Sequence, residues 1–132
     1  MGKEIGDGTG YITKDSGERQ QFETGAKRDS RSGKGRFDLL PPTVIRRDAG
    51  LYERGADKYG SDNWKSGMPS SRYMESLLRH AFQYLYGDRT EDHLAAIRFN
   101  AGGIMYNEDC IPDLDDLTIK GDINKRDGKA LT

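Results

Sequence analysis

The apolar residues between Ser70 and Gly87 recur at helical spacing, and nothing else in the chain limits its fold so strongly. Tyr73, Leu77, Leu78, Ala81, Tyr84 and Leu85 make one stripe, Ser70 or Ser71 can cap its start, and Gly87 suits its end. Only Gly87-Asp88-Arg89 separates it from a second periodic run of Leu94, Ala95, Ile97, Ala101, Ile104 and Met105. That run predicts a helix from Thr90 with Glu91 and Asp92 in its first turn, where acids complement the helix dipole. So short a connection makes the two helices antiparallel neighbours.

A third helix lies upstream. Pro41-Pro42 stops one element and starts another, Thr43 can serve as the N-cap, and Val44, Ile45, Leu51, Tyr52, Ala56 and Tyr59 recur up to Gly60. Gly50 and Gly55 each weaken this helix by roughly 1 kcal/mol relative to alanine, so close approach of another helix or a ligand is expected there. Ser61 to Pro69 reads as a loop. The expected fold class is mainly α: a small antiparallel bundle of about three main helices, with a flexible Gly/Lys-rich N-terminal arm (1–35), a helical ligand-binding domain (36–110) and an irregular C-terminal tail (111–132).

The arm is expected to stay mobile because Ile5, Tyr11, Ile12 and Phe22 are its only large apolar side chains after Met1, too few to offset its ordering entropy. Lys27, Arg28, Arg31, Lys34 and Arg36 cluster within and beside it, with Asp29 the one acid among them. Such a run is commonly a solvated linker; it could also close over phosphates, its glycines admitting backbone N–H groups to the anion.

With 33% hydrophobic residues and 33% charged, the 132-residue chain offers little apolar surface for a compact monomer, which predicts a homo-oligomer. The net charge of −1 argues against a polymeric nucleic acid as partner, since such binding needs a basic field. Cys110 is the one cysteine, so neither an intramolecular disulfide nor a cysteine metal cluster can form. No apolar run approaches membrane-spanning length and no signal-peptide core is present, so a soluble, intracellular protein is expected.

Polar and aromatic residues that could do chemistry crowd into the helical region. Antiparallel helices would bring His80 and His93 toward a common wall, with Asn100 two turns beyond His93 on the same face. Core histidines are common, and two histidines with carboxylates could also hold a transition metal, though the spacing matches no standard local metal motif. Tyr59 and Trp64 flank the turn Gly60-Ser61-Asp62-Asn63 and could stack on a nucleobase while Asn63 reads its edge; Trp64 could equally plug the helical core. Lys58 and Lys65 flank the pair, and Glu75 stands four residues before Arg79, an ordinary helix-stabilising spacing. Arg46, Gly50, Glu53 and Asp57 share a helical stripe that reads either as a solvated face or as carboxylates for Mg²⁺.

Four blocks in order, Gly-Lys-Gly-Arg-Phe-Asp-Leu-Leu-Pro (33–41), Gly-Ala-Asp-Lys-Tyr-Gly-Ser-Asp-Asn-Trp (55–64), Arg79-His80 and His-Leu-Ala-Ala (93–96), resemble the phage-borne dATP/dGTP diphosphohydrolase N-terminal domain family. The resemblance implies a bacteriophage origin, a mostly helical fold, a link to nucleotide metabolism and a place in the cytoplasm of the infected bacterial host. The matching positions are Lys34, Arg36, Asp38, Lys58, Tyr59, Asn63, Trp64, Arg79, His80 and His93. In longer members the domain precedes a portion similar to all-α, MazG-like pyrophosphohydrolases, whose Glu-Glu-x-x-Glu and Glu-x-x-Asp helices hold Mg²⁺; this chain has neither signature.

Two functional expectations follow. In the first, the chain sequesters a phosphorylated nucleotide, or a cyclic or ADP-ribose-type signal of antiviral defence. Arg36, Lys58, Arg79 and the arm would grip phosphates, Tyr59 or Trp64 would stack the base, and Asn63, Asn100 or a histidine would read polar edges. In the second, it is a Mg²⁺-dependent pyrophosphohydrolase of purine deoxynucleoside triphosphates, with metal on Glu53, Asp57, Glu75 and Asp92 and a carboxylate or His80 activating water. A weaker third expectation is an interaction protein whose motifs are all structural.

Overall fold

The computed structural model describes residues 2–117, which separate into two compact units, one ending at Leu40 and one beginning at Pro41. The first unit carries structure where a loose arm was expected. Strands β1 (Lys3–Gly6) and β2 (Ile12–Asp15) pair antiparallel with Ile5 opposite Thr13, and β3 (Arg19–Gln21) and β4 (Lys27–Asp29) pair with Gln20 opposite Arg28. Polar contacts substitute for the missing apolar core. The Arg19 guanidinium forks onto the buried Asp15 carboxylate at 2.7 and 2.8 Å, and Asp29 accepts from the Ser16 amide, the Ser16 hydroxyl and Lys34 Nζ. Asp29, the lone acid of the basic run, is thereby held down to about 2, first by the Ser16 hydroxyl and then by Lys34.

The second unit is helical throughout: α1 (Pro42–Tyr59), α2 (Asn63–Ser66), α3 (Ser70–Leu85) and α4 (His93–Cys110), followed by a 3-10 turn at Pro112–Leu114. Helix α1 begins one residue before the expected cap because Pro42, with its fixed φ, occupies the first helical position, leaving Thr43 inside the first turn. A short helix, α2, replaces the expected loop. The serines at the start of α3 lie inside the helix; its cap is supplied from a distance, as Asp116 accepts from the Ser71 amide at 2.7 Å and from the Ser71 hydroxyl. Helix α4 starts three residues later than Thr90. Asp92 is its N-cap, accepting from the Ala95 amide at 3.1 Å, whereas Thr90 is drawn back to Asp88 by its amide and hydroxyl.

Helix α4 is the centre of the unit: α1 and α3 both pack against it, and a helix gripped from two sides carries apolar residues around much of its circumference. The closest approach is to α3, where a Cβ added at Gly103 would stand 2.5 Å from the Tyr73 ring. Gly50 and Gly55 do not play that part. A Cβ at Gly50 would meet only the Arg54 guanidinium, at 3.3 Å, and one at Gly55 would meet nothing within 4 Å, so no helix closes on α1 there. Two reciprocal forks seat α1 on α4: Arg47 on Asp92, with Nε–Oδ2 at 2.9 Å, and Arg98 on Asp48 at 2.8 and 2.9 Å.

The buried apolar set among the described residues is small, comprising Tyr73, Ala95 and Ala96; Ser70, His93, Asn100 and Asn107 are buried beside them. Asn107 spans from α4 to the loop before α3, donating to the Met68 carbonyl at 2.8 Å and to Ser70 Oγ at 3.0 Å. Of the expected tail, residues 118–132 lie outside the described residues.

Candidate functional site

Because α1 and α3 both pack on α4, a groove is left between them with α4 as its floor. It widens into a recess of about 520 Å³, bounded by α1 from Leu51 to Tyr59, by Asn63 and Trp64 of α2, by Arg72 to His80 on α3, and by Ala96, Phe99 and Asn100 on α4. A second hollow of about 670 Å³ opens on the other side of His80, toward Arg47, Arg89 and His93. The two share Leu51, Arg54, His80, Glu91 and Ala96 as walls.

One end of the first recess is aromatic. Trp64 meets Tyr52 and Tyr106 edge-on at 6.1 and 5.5 Å between ring centroids, and Tyr52 meets Phe99 at 5.2 Å. The indole therefore joins the packing of the helices while lining the recess, so its expected ligand and core placements coincide in position. Tyr59 is exposed at the lip, with Lys58 Nζ 5.1 Å from its ring centre.

The other walls are basic. Arg54, Lys58, Arg72 and Arg79 face two carboxylates, Glu75 and Glu91. Glu75 stands 3.5 Å from Arg72 Nε and 3.4 Å from Arg79 Nη1, a loose and exposed arrangement that an entering phosphate can replace at little cost. Buried Asn100 donates from Nδ2 to the Ala96 carbonyl at 2.8 Å and to Ser76 Oγ at 3.3 Å, and lies in the floor of the recess.

His80 and His93 meet across α3 and α4, their Nδ1 atoms 2.8 Å apart and their ring centres 5.1 Å apart. His93 is 1% exposed, and its Nε2 lies 3.5 Å from Asp88 Oδ2, at the long limit for a hydrogen bond. Burial pushes His80 below its ordinary value; Glu91 opposes that shift, and His93 and Arg79 add to it. Asp88 is held at about 2, mainly by the Thr90 hydroxyl and amide, with His93 contributing.

A model of the dATP/dGTP diphosphohydrolase N-terminal domain matches residues 24–117, well over half the chain. The chain belongs to that family. Every candidate ligand-binding position named from the sequence lies inside the matched span of the diphosphohydrolase N-terminal domain. No curated protein and no solved structure matches the chain significantly.

The fold distributes those positions unequally. Lys58, Tyr59, Asn63, Trp64, Arg79, His80 and Asn100 line the first recess, and His93 lines the adjoining hollow. Lys34, Arg36 and Asp38 belong to the other compact unit, where Lys34 pairs with Asp29 and Arg36 forks onto Asp38 with both bonds at 2.8 Å. The carboxylates named for Mg²⁺ do not converge: among the described residues no group of three or more potential ligands could hold a metal ion. Glu75 sits between Arg72 and Arg79, and Asp92 is held at about 2 by the Arg47 guanidinium while capping α4. Asp92 thus serves helix docking. Sequence reading missed Arg54, Arg72 and Glu91 as recess walls, and Asp88 behind His93. Arg54 follows Leu51 by one turn on the groove-facing side of α1, a spacing that could have revealed it.

Proposed function

We infer that the helical unit binds a phosphorylated purine nucleotide in the recess between α1 and α3, and retains it intact. The observation that carries this reading is one concavity of about 520 Å³ with an aromatic end at Trp64, Tyr52 and Phe99 and four cations along its walls. A flat base suits the aromatic end and phosphates suit the cations, with Asn63 and Asn100 as polar readers of the base edge. Retention without turnover is the behaviour of a sequestering protein, and nucleotide signals of bacterial antiviral defence are the ligand class it fits in a phage.

The family description favours a second reading, Mg²⁺-dependent conversion of dATP or dGTP to the monophosphate and pyrophosphate. One experiment separates the two. Purified protein is mixed with dATP, dGTP and cyclic and ADP-ribose-type nucleotides, with and without Mg²⁺, then denatured, and every species is quantified by chromatography. Intact nucleotide released on denaturation supports retention; appearance of a monophosphate and pyrophosphate establishes hydrolysis and overturns it.

A further inference from the structure

The two histidines form one proton-linked unit. The Nδ1 atoms at 2.8 Å share a single proton, because two N–H groups facing each other at that distance would repel. The position of that proton follows from what lies behind His93. Its Nε2 is buried and makes no hydrogen bond, and the Asp88 carboxylate oxygen Oδ2 lies 3.5 Å away. A bare lone pair there would oppose a carboxylate, whereas an N–H is attracted by it. His93 therefore carries its proton on Nε2 and accepts at Nδ1, His80 donates from Nδ1, and His80 Nε2 is the vacant acceptor. Asp88 is fixed in turn by the Thr90 amide and hydroxyl at 2.8 and 2.6 Å. The chain Asp88–His93–His80 ends in the wall common to both hollows.

We propose that His80 takes up one proton at Nε2 when a phosphorylated ligand enters the recess, and that His93 and Asp88 are positioning residues that hold it in the tautomer able to do so. This rests on the nucleotide-binding reading of the same recess. The uptake stops at one proton, since a second would have to go between the two Nδ1 atoms. The charged groups around His80 set its resting state: Arg47 and Arg54 on α1, Arg79 and Tyr84 on α3, Asp88, Arg89, Glu91 and Asp92 in the connection, and His93 on α4. Burial, Arg79 and His93 favour the neutral ring in the free protein against the pull of Glu91. A bound phosphate supplies the negative charge that reverses the balance, and the linkage is reciprocal: the ligand binds more tightly as pH falls, by at most about tenfold per pH unit for one linked proton.

The test is calorimetry of dATP, dGTP and cyclic and ADP-ribose-type nucleotides binding to the full chain at about pH 7.5 in phosphate-free buffers of different ionisation heat, paired with ¹⁵N NMR of the two histidines, the only ones in the sequence. The proposal expects a buffer-dependent heat that reports net uptake of up to one proton, abolished in His80→Gln, with measurable binding remaining. It also expects free His80 as the Nδ1–H tautomer, His93 as the Nε2–H tautomer, and Asp88→Asn to loosen that assignment. Binding without proton uptake overturns the linkage and leaves the nucleotide reading standing. Absence of binding to every nucleotide of that panel overturns both. A native protein in which each ring takes a second proton independently on acidification overturns the shared-proton dyad itself.

Discussion

Arg79 shows how the fold turns an ordinary helical spacing into a ligand-facing position. In the free protein its guanidinium reaches Glu75 at 3.4 Å and Ser76 Oγ at 3.3 Å, neither a strong contact, and it borders the recess. Arg79→Ala should raise the Kd for a phosphorylated ligand by roughly tenfold or more while leaving thermal stability nearly unchanged, since exposed pairs contribute little to folding; titration followed by Trp64 fluorescence, beside a melting curve, measures both. Gly103 makes the opposite prediction. Gly103→Ala drives a methyl group into the Tyr73 ring, where 2.5 Å leaves no room, and should cost about 1–3 kcal/mol in denaturant unfolding. Gly55→Ala is its control: open space surrounds the added carbon and the helix gains propensity, so stability should hold or rise by up to about 1 kcal/mol.

At the scale of elements, α1, α3 and the pairing of α3 with α4 were legible in the sequence because apolar period, a proline start and glycine stops agreed. What escaped was supplied by distant polar partners. No local signal connects Asp116 to Ser71, or Arg47 to Asp92, each pair 45 residues apart, so the cap of α3 and the docking of α1 could not be read from neighbouring residues, whereas the late start of α4 follows from local bonds of Asp92 to Ala95 and of Thr90 to Asp88. The strand pairs of the first unit escaped for a related reason: their order rests on Asp15, Ser16, Arg19 and Asp29 rather than on alternating apolar residues. The site was half visible. Lys58, Trp64, Arg79 and the histidines stood out by type, whereas Arg54, Arg72 and Asp88 needed the groove to give them meaning. The Arg47–Asp92 fork also sets an acid limit. Asp92 titrates at about 2 in the folded chain against an ordinary 3.8, so its contribution is complete above that ordinary value and is lost as pH falls toward 2. After discount for the half-exposed arginine it amounts to about 1 kcal/mol, and Asp92→Asn should flatten the acid limb of a stability–pH curve over that window.

At the scale of the whole molecule, the contrast between burial and exposure decides. Among the described residues of the helical unit the buried side chains are more often polar than apolar, while Phe82, Leu85 and Tyr86 at the end of α3 are 57%, 72% and 81% exposed. A unit so lightly filled gains much by covering such a face, and we propose that a second copy of the chain covers it, as composition leads one to expect. Sedimentation at micromolar concentration should give a mass above that of one chain, and a monomeric mass would contradict it. No helix among the described residues is long and apolar enough to cross a membrane.

The reciprocal forks between α1 and α4 have a consequence for how the groove behaves in solution. One wall is seated on the floor through the Arg47–Asp92 and Arg98–Asp48 forks as well as the Tyr52–Phe99 contact, while the opposite wall is seated without such forks, through Tyr73 against Gly103 and Phe99. Ionic strength acts on the first seam and hardly touches the second. Added salt should therefore loosen α1 more than α3, so that amide exchange rises modestly along Pro42–Tyr59 while α3 and α4 stay protected, and the groove widens from one side like a door on a single hinge.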